Sequence, residues 1–197
     1  MSLGSRVSKK QSGEQTKRSI ILTAKKLFVE KGYFNTSMRD IAKEAGVSTG
    51  ALYHHFESKE EIAGEIYRET VEKIKERLEK ALREGEGARE KIKGVIRELL
   101  ILAEEDRYTM EYALYVKHRE ILDVPVCSAE PMDLLKKFCR EEIDKGRIRA
   151  IDPELCAVCI TAAPVRLMQL KWDGVIKEPL TSYADSLGEC VWRSLSP

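Results

Sequence analysis

The sequence predicts an all-α protein of about nine helices, a short N-terminal trio followed by a larger helical domain. Three observations lead there. Apolar residues recur at helical spacing along most of the 197-residue chain. Breaks at Gly32, Gly46, Gly85, Gly87, Gly146, Gly174 and Pro179 separate those stripes. No stretch alternates as a half-buried strand would.

Ile20, Ile21, Ala24, Leu27 and Phe28 line one face of a first helix, and Gly32 is its expected C-cap. Ser37 is the next N-cap, with Asp40 three residues on as its capping-box partner. The helix over 38–45 turns Ile41, Ala42 and Ala45 inward and stops at Gly46. Ser48 caps a helix over 49–55 that buries Leu52 and Phe56. Ser58 with Glu61 forms a second capping box, opening a long helix to about residue 83. Ile92, Val95, Ile96, Leu99, Leu100 and Ala103 form a clean amphipathic stripe. A further helix is expected over 107–121, then a loop bracketed by Pro125 and Pro131. Helices over 132–145, 153–172 and 180–195 complete the chain. Pro164 is expected to kink the second of these.

Hydrophobic residues make up 43% of the chain, enough for a proper core. No apolar run is long enough to cross a membrane, and the polar N-terminus lacks a secretory signal core. A cytoplasmic location is therefore expected. Five cysteines, an odd number, do not suit a disulfide framework. Residues 1–58 carry ten Lys/Arg against five Asp/Glu, a net of +5, whereas residues 59–197 carry 24 against 28, a net of −4. A basic end on an acidic body suits docking on phosphate. A phosphate-cradling loop, a nucleophile elbow and an HExxH pair are all missing, so enzymatic activity is not expected.

Two short helices joined by Ala45-Gly46-Val47-Ser48 form a helix-turn-helix, with Gly46 supplying the left-handed turn residue. The second helix of such a motif lies in a major groove with its N-terminal residues at the base edges. Here those are Thr49, Gly50 and Ala51. Helix N-termini at Ser37, Ser48 and Ser58 favour phosphate, and the hydroxyls of Thr36, Ser37, Ser48 and Thr49 can bond phosphate or bases. Tyr53, His54 and His55 follow on the same helix, and Lys59 opens the next.

Phe28, Gly32, Tyr33, Thr36, Ile41, Ala42, Ala45, Gly46, Val47, Ser48, Gly50, Leu52, Tyr53, His55, Phe56 and Lys59 sit in the order and spacing of a known pattern. This stretch closely resembles the N-terminal domain of the tetracycline-repressor (TetR) family of transcriptional regulators. The resemblance implies DNA contacts at Ser37, Arg39, Thr49, Gly50, Ala51, Tyr53, His54 and Lys59. Tyr53, His55 and Lys59 are expected to hold phosphates, and Arg39, Thr49, Ala51 and His54 to face bases.

Domain boundaries follow: a flexible arm over 1–14, the helix-turn-helix domain over 15–58, and a ligand-binding and dimerisation domain over 59–197. For the last domain the resemblance is architectural. It implies a small-molecule pocket, a homodimer built from helices 153–172 and 180–195, and double-stranded operator DNA as partner. The expected function is an effector-released repressor. Tyr108, Met110, Tyr112 and Tyr115 form an aromatic stripe ending at His118 and Arg119, which suits an acidic lipophilic effector such as a fatty acid or its coenzyme A thioester. Met168 and Trp172 are further pocket candidates. A multidrug-responsive regulator, a metal- or redox-responsive regulator, and a ligand-binding protein that no longer binds DNA remain alternatives. Cys156 and Cys159 form a CxxC within a helical stripe, which lacks the convergence zinc needs. No metal and no resident cofactor is expected beyond the unidentified effector.

Overall fold

The computed structural model describes the backbone over residues 3–122 and 129–197, and within it the side chains of all residues but 3–12, 119 and 129. Among the described residues there are ten α-helices, one 3-10 turn and no strand. They are α1 (Leu3–Glu30), α2 (Met38–Glu44), α3 (Thr49–His55), α4 (Lys59–Glu84), α5 (Gly87–Glu105), α6 (Arg107–Tyr115), α7 (His118–Leu122), α8 (Ala129–Asp144), α9 (Pro153–Trp172) and α10 (Ala184–Leu195), the last preceded by the 3-10 turn Leu180–Tyr183.

Several boundaries differ from expectation. The stretch expected as a flexible arm is helical from Leu3, because adding residues to a formed helix costs little and no proline stands in the way. The single helix expected over 107–121 is two. The His118 backbone N–H bonds the Val116 carbonyl at 2.9 Å, a turn too tight for an α-helix. Pro131 stands inside the first turn of α8 instead of bounding a loop, where its missing N–H would have no helical partner. Pro125 lies outside the described residues. The last helix begins with the 3-10 turn, and α9 runs through Pro164.

Two compact units result. The first takes α1 to α3, α4 as far as Thr70, and the segment from Glu111 through α7. Its core is Ile20, Ala24, Leu27 and Phe28 of α1, Ile41 and Ala42 of α2, Leu52 of α3, Phe56, and Ile62, Ala63 and Ile66 of α4, with Tyr112 joining from α6. These are the apolar stripes of the sequence folded onto one another. The unit is larger than residues 15–58 because a trio of short helices buries too little surface alone. Lys17 and Arg18 of α1 pair with Glu65 and Glu69 of α4 at 2.9 and 2.7 Å.

The second unit takes α4 from Val71, α5, the start of α6 through Met110, and α8 to α10. The apolar face of α5 packs against α9 and α10, and α8 packs on α9. Gly188 marks the closest approach: a Cβ there would stand 2.9 Å from Lys93 Cγ and 3.3 Å from its Cα. Glu98, buried on α5, is matched by Arg77 and Lys80 of α4 at 3.0 and 2.7 Å. No helix among the described residues is long and apolar enough to cross a membrane.

Candidate nucleic-acid interface

The capping residues set the geometry. Ser37 and Asp40 form a full capping box: Ser37 Oγ accepts from the Asp40 backbone N–H at 3.2 Å, while Asp40 Oδ2 accepts from the Ser37 N–H at 2.9 Å and its hydroxyl at 2.6 Å. The hydrogen bonds from Ser37 hold the Asp40 carboxyl below its usual range. Ser48 Oγ accepts from the Ala51 N–H at 3.1 Å. Ser58 Oγ accepts from the Glu61 N–H at 3.1 Å, but the Glu61 carboxylate takes the Glu57 N–H at 2.6 Å. The second expected capping box is therefore half formed.

These contacts separate the three helix ends. The first turn of α2 holds Asp40 and that of α4 holds Glu60 and Glu61, whereas the first turn of α3 holds no acid. A carboxylate already answers the partial positive charge at α2 and α4. The N-terminus of α3 keeps its own. The expectation of three equivalent positive ends thus narrows to one.

On α3, Leu52 is buried, with Phe56 buried just beyond its end, while Thr49, Gly50, Tyr53 and His54 are exposed and Ala51 and His55 are half-buried. Tyr53 is 52% exposed, unusual for so large an apolar body. Gly46 holds φ +68°, the left-handed turn expected between the helices. The His54 and His55 rings meet edge to face at 5.4 Å. A Cβ on Gly13 would stand 3.9 Å from His55 Cε1, so α1 passes beside that ring. Ser37, Arg39 and Ser48 are exposed beside this face.

Two expected phosphate ligands are engaged internally. Thr36 is 1% exposed, and its hydroxyl donates to the Gly32 carbonyl at 2.9 Å. Lys59 Nζ donates to the Tyr33 and Thr36 carbonyls and stands 4.1 Å from the Tyr33 ring centre. Tyr33 in turn donates its hydroxyl to Glu60 at 2.7 Å. Burial, with Glu60 adding to it, pushes the Tyr33 phenol up, and the Tyr33 bond holds the Glu60 carboxyl down. Sequence reading missed Glu60. Its adjacency to Lys59 was the available signal, and the partner lies 27 positions away.

The expected pocket residues divide between the two units. In the first, Tyr112 is fully buried and donates to the Ala63 carbonyl at 3.0 Å. His118 is also buried, between the Tyr67 and Tyr112 rings at 5.0 and 4.9 Å. Its Nε2 lies 3.0 Å from the Tyr112 carbonyl. A carbonyl only accepts, so the proton is on Nε2. This ring caps the end of α6, and burial holds its pKa down. Tyr115 is 50% exposed, and the Arg119 side chain lies outside the described residues. In the second unit, Met110 and Met168 are buried, Tyr108 is half-buried, and the Arg107 guanidinium stands 5.9 Å from the half-buried Trp172 ring. The expected stripe is thus broken: Tyr112 and His118 are packing residues of the first unit. Among the described residues no three His, Cys, Asp or Glu converge as metal ligands.

Residues 20–66 match the sequence profile of the family described as bacterial regulatory proteins, tetR family. The chain is 48% identical over 58 residues to the HTH-type transcriptional repressor KstR2 of Rhodococcus jostii (strain RHA1), across 29% of this chain and 28% of that protein. It is 36% identical over 77 residues to the fatty acid metabolism regulator protein of Bacillus subtilis (strain 168), across 39% of this chain and 40% of that one. The chain thus spans less than half the length of either relative. Its fold is similar to a crystal structure of a TetR family transcription regulator from Marinobacter aquaeolei VT8, with a TM-score of 0.81 at 17% identity over 95% of this chain and 98% of that one.

Proposed function

Because the chain belongs to the tetR family of bacterial regulatory proteins, we propose that it is an operator-binding repressor released by a fatty-acyl effector. The observation that carries the DNA half is α3. One side of this short helix is sealed into the core by Leu52 and Phe56, and the other presents Thr49, Gly50, Tyr53 and His54 to solvent at an acid-free N-terminus. Thr49, Ala51, His54 and Arg39 face bases, and Tyr53, His55, Ser37 and Ser48 hold phosphates. Lys59 and Thr36 brace the motif from within.

The protein acts as a homodimer through α9 and α10. Leu155 and Val158 are 51% and 43% exposed on α9, with Ala162 exposed one turn further on. This apolar stripe is one a partner copy would cover. Two copies of α3 then meet half-sites about one helical turn apart.

The effector half rests on the resemblance to a fatty acid metabolism regulator and on the second unit's buried Met110 and Met168, with Arg107 over Trp172 offering a cation beside an apolar surface. Such a ligand acts only by preferring the form with lower DNA affinity. Fluorescence anisotropy on the gene's own upstream DNA tests both halves. Binding tighter than to scrambled DNA across a salt series, reversed by a long-chain acyl-CoA but not by free coenzyme A, is expected. Equal affinity for scrambled DNA overturns the operator assignment for that site, and indifference to acyl-CoA overturns the effector class alone.

A further inference from the structure

The peptide unit between Thr36 and Ser37 is fixed at both ends. Its carbonyl oxygen accepts from Lys59 Nζ at 2.9 Å, and its N–H donates to Asp40 Oδ2 at 2.9 Å. That unit sets where Ser37 and the first turn of α2 stand, and with them Arg39. The Lys59 ammonium also donates to the Tyr33 carbonyl at 2.8 Å, and its nitrogen stands 4.1 Å from the centre of the Tyr33 ring, a cation seated on an aromatic face. Tyr33 thus places Lys59 through both its backbone and its side chain. Tyr33 is itself held. Its ring meets Phe28 edge on at 5.1 Å and Phe34 at 5.3 Å, and its hydroxyl donates to Glu60 Oε1 at 2.7 Å. An acid one residue from Lys59, in a unit that docks on DNA, opposes phosphate by charge alone. Its bond to Tyr33 is what offsets that cost.

We propose that Glu60 is a positioning residue for DNA reading. It anchors the Tyr33 hydroxyl, Tyr33 seats the Lys59 ammonium, and Lys59 holds the Thr36–Ser37 peptide unit that presents α2 to the duplex. This role rests on the operator-binding reading, and in it Glu60 makes no DNA contact of its own. Groups that touch a ligand depend in this way on supporting hydrogen bonds that lock their orientation.

Full-length Glu60→Ala and Glu60→Gln carry the same change of charge and differ in one respect: only the glutamine offers an oxygen to the Tyr33 hydroxyl. Their affinities are compared by fluorescence anisotropy on the gene's own upstream DNA and on scrambled DNA, at a temperature where circular dichroism and urea titration show every variant folded. A role in stability alone would not separate them there. Glu60→Ala is expected to bind both duplexes about two- to fivefold more weakly than Glu60→Gln, the lower part of the scale of one hydrogen bond because Glu60 is exposed. In a Tyr33→Phe background, which keeps the ring and removes its hydroxyl, the two variants are expected to bind equally. Equal binding with Tyr33 intact overturns the proposal. So does a difference that persists in the Tyr33→Phe background, which would put the glutamine on the DNA directly. Wild-type binding no tighter to the upstream DNA than to scrambled DNA counts against the operator reading instead, because the ratio between the two variants is read on either duplex.

Discussion

The Lys59 ammonium donates to the Thr36 carbonyl at 2.9 Å and to the Tyr33 carbonyl at 2.8 Å, which ties the first residue of α4 to the turn that leads into α2. The lysine that the family pattern assigns to phosphate is here a strut. Charge-assisted bonds of this kind contribute about 1–3 kcal/mol when half-buried. Lys59→Met is expected to lower stability by that amount in urea titrations. It should leave the salt dependence of DNA binding unchanged, because no released counterion belongs to it. A fall of about one in the slope of log affinity against log salt, the signature of one lost phosphate contact, with stability intact, would return Lys59 to the DNA.

Tyr53 and Thr49 differ in what they are expected to read. Tyr53→Phe removes one hydroxyl and should weaken binding to all sequences alike, by about 0.5–1.5 kcal/mol. Thr49→Ala should redistribute affinity among operator variants changed at one base pair. Anisotropy across such a panel distinguishes the two. Uniform loss in Thr49→Ala would assign that hydroxyl to phosphate.

His118 predicts a pH dependence. Its folded-state pKa lies below its unfolded value because burial penalises the charged ring. The unfolded chain therefore binds more protons between the two values, and stability rises with pH there. The effect is absent above the unfolded pKa of about 6.5, and stability falls as pH drops below it towards the folded pKa. His118→Gln keeps a donor for the Tyr112 carbonyl and has no proton to gain. The difference in melting temperature between wild type and variant should shift steadily from pH 7 to pH 5. A constant difference would show that the ring is solvated.

The exposed stripe on α9 predicts assembly. Val158→Glu and Leu155→Glu place charges where a partner's apolar surface is expected, and leaving such a charge unpaired in an interface is costly. Light scattering behind gel filtration should find a dimer for wild type and half that mass for either variant, with unchanged helical content by circular dichroism. A monomeric wild type would remove the dimer from the proposed function.

The elements were legible because their signals are local. Ser37 and Asp40, Ser48 and Ala51, and Ser58 and Glu61 meet within one helical turn, and the α1 to α3 stripes lie on faces that a 3.6-residue period exposes. The solvent-facing residues of α3 were legible for the same reason, since Leu52 and Phe56 declare the buried side and Thr49, Gly50 and Tyr53 fall opposite. The pocket stripe was not. Tyr108, Tyr112 and Tyr115 share a face of an ideal helix, but α6 stops after Tyr115, and the His118 ring turns back to cap the Tyr112 carbonyl. Helical spacing says which residues share a face. It does not say whether that face meets a ligand or the core.

By itself the sequence determined an all-helical chain, a helix-turn-helix with its caps and its left-handed Gly46, and a basic end on an acidic body. Each depends on neighbours within a few positions or on composition. Only the tertiary structure decided that Lys59 serves the Tyr33–Thr36 turn and that Tyr112 belongs with Ala63 in the core of the first unit. Those partners lie 23 and 49 positions apart. Such contacts come from helices closing on one another, driven by apolar burial that is indifferent to direction, and the polar atoms carried along must then find partners wherever the packing leaves them.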